Sequence, residues 1–166
     1  MDQMDMIEAR QEHPVDLIEQ IATGHSWAFE RDDADEISIA ITGSWSDYHV
    51  NFTWLDDMEA LHLACAFDLK VPERRKAEVA QLIGRLNSQM WVGHFDLWTS
   101  ENAVMFRHSL LLSGGTSPMP DQCEALIKVA VEACEKYYQA FQFVVWAGQT
   151  ATEALETILF ETAGEA

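Results

Sequence analysis

Three alternating segments between residues 37 and 67 constrain the fold of this chain more than any other feature. Apolar residues occupy every second position of each segment, and short polar turns separate the segments. The alternating residues are Ile37, Ile39 and Ile41, then Tyr48, Val50, Phe52 and Trp54, then Leu61, Leu63, Cys65 and Phe67. Period-two alternation is typical of strands with one buried face, and strands joined by short turns pair antiparallel. The pattern therefore predicts an antiparallel meander with one apolar face that helices must cover.

Helical periodicity appears on both sides of these strands. Pro14 begins a short amphipathic segment, and further helical patterns cover about residues 72–90 and 121–147. Proline at the first position of a segment favours a helix start, because its missing N–H has no partner there in any case. Thr150 followed by Glu153 has the spacing of a capping box, which predicts a last amphipathic helix. Three or four helices are therefore available to cover the sheet.

Further strand patterns complete the order of elements. A brief strand is expected at residues 27–29, and residues 93–97 with 104–112 are expected to form a second hairpin. Within that hairpin, Asp96 and Arg107 are placed to form a cross-strand salt bridge. The fold class predicted is α+β, with helices on one face of an antiparallel sheet. The element order is one helix, three or four strands, one helix, two strands, and one or two helices.

The length of 166 residues is typical of one domain with a single core. We expect a flexible acidic N-terminal segment at residues 1–12 and one domain at residues 13–166. The longest apolar runs are far shorter than the roughly 20 residues that span a bilayer. The first residues also lack the basic and apolar regions of a secretory signal. We therefore expect a cytoplasmic protein with no membrane partner.

The charge of the chain is strongly negative, with 10 basic residues against 28 acidic ones and a net charge of −18. Such a surface repels phosphate backbones and anionic lipids, so we expect no nucleic-acid partner. It promotes solubility and favours cationic partners. Cys65, Cys123 and Cys134 form no CxxC pair and lie within apolar patterns, which indicates buried, reduced thiols.

No catalytic or cofactor motif is present, since the chain contains no GxSxG, Walker loop, GxGxxG or HExxH sequence. We therefore expect no enzyme activity, no cofactor and no metal. His49, His62 and His94 fall opposite the apolar sets of their strands and can share the polar face of the sheet with Trp98. Three histidines on separate strands more often line a solvated face than bind zinc. The polar face of the sheet is therefore the less favoured candidate site.

The tryptophans divide into two groups by their sequence context. Trp27, Trp54 and Trp146 lie within apolar patterns and are expected in the core. Trp45 lies in a turn, and Trp98 lies on the polar side of its strand, so these two are expected to be exposed.

Three runs in the second half of the chain resemble the YbjN family, also described as bacterial sensory transduction regulators. They are AEVAQLIGRLN (Ala77–Asn87), WVGHFDLW (Trp91–Trp98) and AVMFRHSLLL (Ala103–Leu112). The resemblance implies an α+β domain similar to the dimeric chaperones of type III secretion, in which helices pack on one twisted antiparallel sheet. It also implies a bacterial origin and a regulatory or chaperone-like role. It transfers no catalytic residue.

Two functional hypotheses follow from these observations. The first is a non-catalytic interaction module, homodimeric, that binds an unidentified protein partner. Its candidate partner or dimer surface is Trp146 with Leu155, Ile158 and Leu159 of the last helix. The alternative is a small-molecule or metal-responsive sensor that uses the polar sheet face around the three histidines.

Overall fold

The computed structural model describes residues 10–164 and shows a six-stranded antiparallel sheet with four α-helices in that range. The helices are α1 (Pro14–Gly24), α2 (Lys76–Asn87), α3 (Pro120–Val145) and α4 (Ala151–Gly164). The strands are β1 (Ala28–Asp33), β2 (Glu36–Thr42), β3 (Asp47–Leu55), β4 (Ala60–Lys70), β5 (His94–Trp98) and β6 (Ala103–Leu111). Two 3-10 turns cover Asp56–Met58 and Glu73–Arg75. Most of the predicted N-terminal segment, residues 1–9, lies outside the described residues.

The strand order is β1-β2-β3-β4-β6-β5. The first four strands form the predicted meander, and all neighbouring strands are antiparallel. β6 returns beside β4, which leaves β5 at the edge of the sheet. In the register of β3 with β4, Tyr48 is opposite Phe67 and Phe52 is opposite Leu63, so their apolar side chains share one face.

All four helices lie on the apolar face of the sheet, which confirms the predicted α+β class. α1 packs on β1, β2 and β3, while α3 packs on β4 and β6. α2 contacts β5 and α3, and α4 contacts α2 and α3. Aromatic rings fill the space between α3 and the sheet, with Phe67 at 5.1 Å from Tyr138 and Phe95 at 5.4 Å from Phe141 between ring centroids. None of the helices within residues 10–164 combines the length and apolarity needed to cross a bilayer.

The second helix begins later and ends earlier than the sequence predicts. Pro72 is extended, with ψ of 153°, and precedes the 3-10 turn rather than the first turn of α2. Arg75 explains the turn's position: its Nε donates to Val144 O at 2.8 Å and its Nη2 donates to Gln149 O at 2.6 Å. The side chain thereby ties the start of α2 to the end of α3.

The junction between α3 and α4 is a tight turn. Gly148 has φ of +70°, a conformation that glycine adopts without strain. Thr150 Oγ1 accepts a hydrogen bond from the Glu153 backbone N–H at 3.2 Å, which is the N-cap contact that the sequence predicts. The cap fixes where α4 begins, and Ala151 and Ala154 are then buried against the rest of the domain.

Candidate functional site

An open groove of about 290 Å³ lies between the end of α1 and the first half of α3. Its apolar floor is formed by Trp27, Ile41, Ile127 and Val131. We call it the α1–α3 groove. Ile41 comes from β2 and Ile127 from α3, so the floor forms only where helix and sheet meet. A concave apolar site with a few polar groups around it is the usual form of a binding site.

The rim of the α1–α3 groove carries charged side chains, two of them acidic. His25 Nε2 lies 2.8 Å from Glu124 Oε1, and the His25 ring stacks on Trp27 with 4.1 Å between centroids. Lys128 Nζ lies 4.0 Å from Glu132 Oε1 on the same helix face. The stacking on His25, which in turn contacts Glu124, places Trp27 at the groove wall. The arrangement can bind an apolar side chain and pair a cation with a rim carboxylate.

The predicted partner surface at the C-terminal end is only partly exposed. Leu155 and Ile158 are half-buried and pack against the core, whereas Leu159 is 67% exposed. Phe160, which the sequence analysis did not select, is 82% exposed. Three glutamates share the outer side of α4 with it: Glu153, Glu156 and Glu161.

Trp146 is 64% exposed, so its assignment to the core is wrong, although it remains a candidate surface residue. α3 ends at Val145, and Trp146 occupies the cap position, where the chain turns away from the core. Of the other tryptophans, Trp54 is buried and Trp27 is half-buried, while Trp45 and Trp98 are exposed as predicted.

Trp146 lines a second groove of about 400 Å³, together with Lys70, Arg74 and Asn102. We call it the cationic groove. Lys70 ends β4, and Arg74 lies in the turn before α2. Asn102 lies in the turn between β5 and β6, and its backbone O accepts from Val71 N at 2.8 Å. Three separate elements thus bring two cations beside one aromatic ring.

The polar sheet face brings two of the three selected histidines to one arginine. Arg107 Nε donates to His62 Nε2 at 3.1 Å, and Arg107 Nη1 lies 3.1 Å from Asp96 Oδ2, the predicted salt bridge. His94 is directly opposite Arg107 in the β5–β6 register. Burial lowers the pKa of His62, and the charges of Arg107 and His94 lower it further. The neutral form of His62 is therefore favoured beside the guanidinium.

His49 and Trp98 lie apart from this cluster. His62 is opposite Thr53 in β3, four residues from His49, which corresponds to about 13 Å along the strand at the usual rise of about 3.3 Å per residue. Trp98 ends β5 and is 49% exposed. Within residues 10–164, no three His, Cys, Asp or Glu side chains are grouped to hold a metal ion.

The sequence analysis missed the α1–α3 groove and a close pair of thiols. His25 and Glu124 are 99 residues apart, so no local pattern indicates their contact. Cys65 and Cys134 come from β4 and α3, and their Sγ atoms lie 3.6 Å apart in the core. All three cysteines are buried free thiols, as predicted.

Comparison with known proteins assigns the chain to a family. Residues 14–143 match the YbjN family, described as "Putative bacterial sensory transduction regulator". The crystal structure of the ExsC–ExsE complex is similar, with TM-score 0.56 and 15% identity over 82% of this chain and 94% of that chain. A crystal structure of YbjN from E. coli aligns with TM-score 0.48 and 10% identity over 75% of this chain and 93% of that chain. No curated protein matches this chain in sequence. Because the family match covers most of the chain, including every strand of the sheet, the chain belongs to the YbjN family.

Proposed function

We propose that this chain is a non-catalytic protein-interaction module that acts as a homodimer in a regulatory or chaperone-like role. The observation that carries the proposal is the α1–α3 groove, which combines an apolar floor with a rim of charged side chains. Apolar floors of this kind take up a large side chain of a binding partner. Glu124 and Glu132 on the rim contact His25 and Lys128 within the subunit, and a Lys or Arg of the partner can take the place of those contacts.

The fold supports a binding role for the module. The similar ExsC structure is a complex with a second protein, ExsE. Fold similarity alone does not transfer a partner, so the analogy extends only to the kind of activity, the binding of one protein by another. The family description as a regulator agrees with such a role.

The proposed location is the bacterial cytoplasm. The three cysteines are free, and the Sγ atoms of Cys65 and Cys134 lie 3.6 Å apart without a bond between them. Thiols persist in this form in reducing compartments.

Photo-crosslinking in the native host tests the binding role. Lys128 at the groove rim is replaced by p-benzoylphenylalanine, and the same residue at Glu30, exposed on the outer strand β1, is the control. We expect one recurring protein to crosslink at position 128 and not at position 30. Mass spectrometry identifies it, and titration calorimetry with the purified partner gives its affinity.

A second variant shows whether the groove itself makes the contact. Val131→Asp places a carboxylate in the apolar floor, and we expect it to abolish both the crosslink and the calorimetric binding. Equal crosslinking at positions 128 and 30, or undiminished binding by Val131→Asp, contradicts the proposal. Circular dichroism of the variant checks that it remains folded.

A further inference from the structure

Two cations in this acidic chain have no partner within their own subunit. Lys70 and Arg74 are exposed, and neither side chain forms an ion pair or a hydrogen bond with the described residues 10–164. Five of the 10 basic residues form ion pairs with carboxylates of residues 10–164. Arg85 on α2 is also exposed and unpaired in that range, but it does not line this groove. Two unpaired cations beside one groove indicate a carboxylate supplied from outside the subunit.

Trp146 adds an apolar side to the cationic groove. The Trp146 ring is 64% exposed and provides an apolar surface next to the cations. The groove therefore favours an occupant with carboxylates and an aromatic or aliphatic side chain.

The outer side of α4 presents the complementary chemistry. Glu153, Glu156 and Glu161 are exposed there, and none of their carboxylates forms an ion pair within the described residues. Phe160 projects between them and is 82% exposed. The helix contains no lysine or arginine. It therefore offers carboxylates for Lys70 and Arg74 and an aromatic ring for Trp146.

The same subunit cannot satisfy its own groove with this helix. Ala151 and Ala154 are 2% and 0% exposed, because this side of α4 packs against the domain. With that side fixed, Phe160 and the glutamates point outward. Two complementary surfaces on one chain, each without a partner, are the requirement for an interface in which each copy gives and receives the same contact.

We propose that the cationic groove of one copy binds the outer side of α4 of a second copy, reciprocally about a two-fold axis. The inference rests on the proposed homodimer and specifies its interface. Carboxylates of Glu156 and Glu161 pair with Lys70 and Arg74, and Phe160 packs on Trp146. The groove residues Lys70 and Arg74 lie within residues 14–143, which match the family, whereas α4 lies beyond them.

Charge reversal on either side of the contact tests the interface by sedimentation equilibrium. We expect the wild type to be dimeric. Lys70→Glu with Arg74→Glu, or Glu156→Lys with Glu161→Lys, sets like charges face to face and raises the dimer dissociation constant by about 30-fold or more. As a matched control, Lys128→Glu with Lys136→Glu makes the same charge change on α3 and leaves the constant within about 3-fold of wild type.

Mixing the two charge-reversed variants provides the decisive measurement. In a mixed dimer both contacts again join opposite charges, so an equimolar mixture should form heterodimers with near wild-type affinity. A wild type that stays monomeric at all concentrations overturns the inference. So does a dimer that survives Lys70→Glu with Arg74→Glu, or a mixture that fails to associate.

The partner-binding role can be tested independently of dimer formation. A monomeric charge-reversed variant that still crosslinks its partner through position 128 keeps the protein-binding function and leaves only the interface to be judged. If the wild type is dimeric but crosslinks no partner, the proposed binding role of the α1–α3 groove is contradicted. The proposed dimer interface is unaffected by that result.

Discussion

Gly93 lies at the entrance to β5 with φ of +72°, and the ring of Phe106 fills the space where a side chain at Gly93 would begin. Phe106 is fully buried and contacts Phe95, with 5.7 Å between ring centroids. The position therefore requires glycine for two reasons, the backbone conformation and the close approach of an aromatic ring. Both reasons concern stability rather than binding.

Gly93→Ala should lower the free energy of unfolding by about 2 to 4 kcal/mol, because strain at positive φ adds to displacement of the Phe106 ring. Gly84→Ala is the matched control. Gly84 lies inside α2 with open space around its Cα, so alanine there should raise stability by up to about 1 kcal/mol. Urea titrations of both variants measure the difference. Equal effects would contradict the proposed crowding at Gly93.

The lowered pKa of His62 predicts a dependence of stability on pH. Because the folded pKa lies below the unfolded value near 6.5, the unfolded chain binds more protons in mildly acidic solution. The contribution of His62 is thus complete above about pH 6.5 and is lost as the pH falls through the folded pKa. We expect His62→Gln to weaken the loss of thermal stability between pH 7.5 and pH 5.

His49→Gln is the control for this pH profile, since it removes an exposed histidine from the same sheet face. It should leave the slope of the melting temperature against pH close to that of the wild type. A His62→Gln profile that runs parallel to the wild type would show that Arg107 and burial do not bias the protonation of His62.

Several residue assignments were predictable because alternation decides which face of a strand a residue occupies. It placed Trp54 in the core, Trp98 on the open face and Asp96 beside Arg107. The assignment of Trp146 to the core, which rested on the apolar run at the end of a predicted helix, was wrong, because the exposure of that ring depends on where α3 ends. Helix ends are set by caps and tertiary contacts, here including Arg75, which lies far away in sequence.

The elements themselves followed from periodicity with errors of a few residues. Strands β2, β3 and β4 have strict alternation, and α3 has a long apolar stripe, so local sequence was sufficient. The position of β6 between β4 and β5 was not predictable, since strand order depends on contacts between distant segments. The α1–α3 groove has the same origin, which is why no motif indicated it.

Arg75 makes two of the hydrogen bonds at the junction of α2 and α3. Arg75 donates to two backbone carbonyls that α3 and the following turn leave without helical partners. Arg75→Met keeps much of the aliphatic stem and removes both bonds. We expect a loss of about 2 to 4 kcal/mol, because each bond from a charged donor is worth about 1.5 to 3 kcal/mol before relaxation.

Arg85→Met is the control for Arg75→Met in the same denaturant titration. Arg85 is exposed on α2, and its replacement should change stability by less than about 0.5 kcal/mol. If the two variants unfold at the same urea concentration, the carbonyl contacts of Arg75 do not stabilise the junction.

At the scale of the whole molecule, the length predicted one domain and the composition gave the sign of its electrostatics. A net charge of −18 makes the carboxylates of one subunit repel each other. Composition could not show where the few cations lie or which are unpaired. That information depends on the fold, which brings Lys70, Arg74 and Trp146 into one groove.

Salt should therefore stabilise the fold of the free subunit. Raising NaCl from 0.05 to 0.5 M shortens the Debye length from about 14 Å to about 4 Å. We expect a higher melting temperature for the monomeric Lys70→Glu, Arg74→Glu variant, because repulsion within the subunit is screened. A melting temperature that stays constant or falls over this range would contradict the prediction.

The hydrogen bonds of Arg75 also affect how much conformational entropy is lost when two subunits associate. The residues it binds, Val144 and Gln149, stand on either side of Trp146, so the backbone that carries this ring is held from both directions. A contact residue whose backbone is fixed in the free subunit gives up little conformational entropy on association. Arg75, although it touches no partner in the proposed interface, would set the entropic cost of forming it.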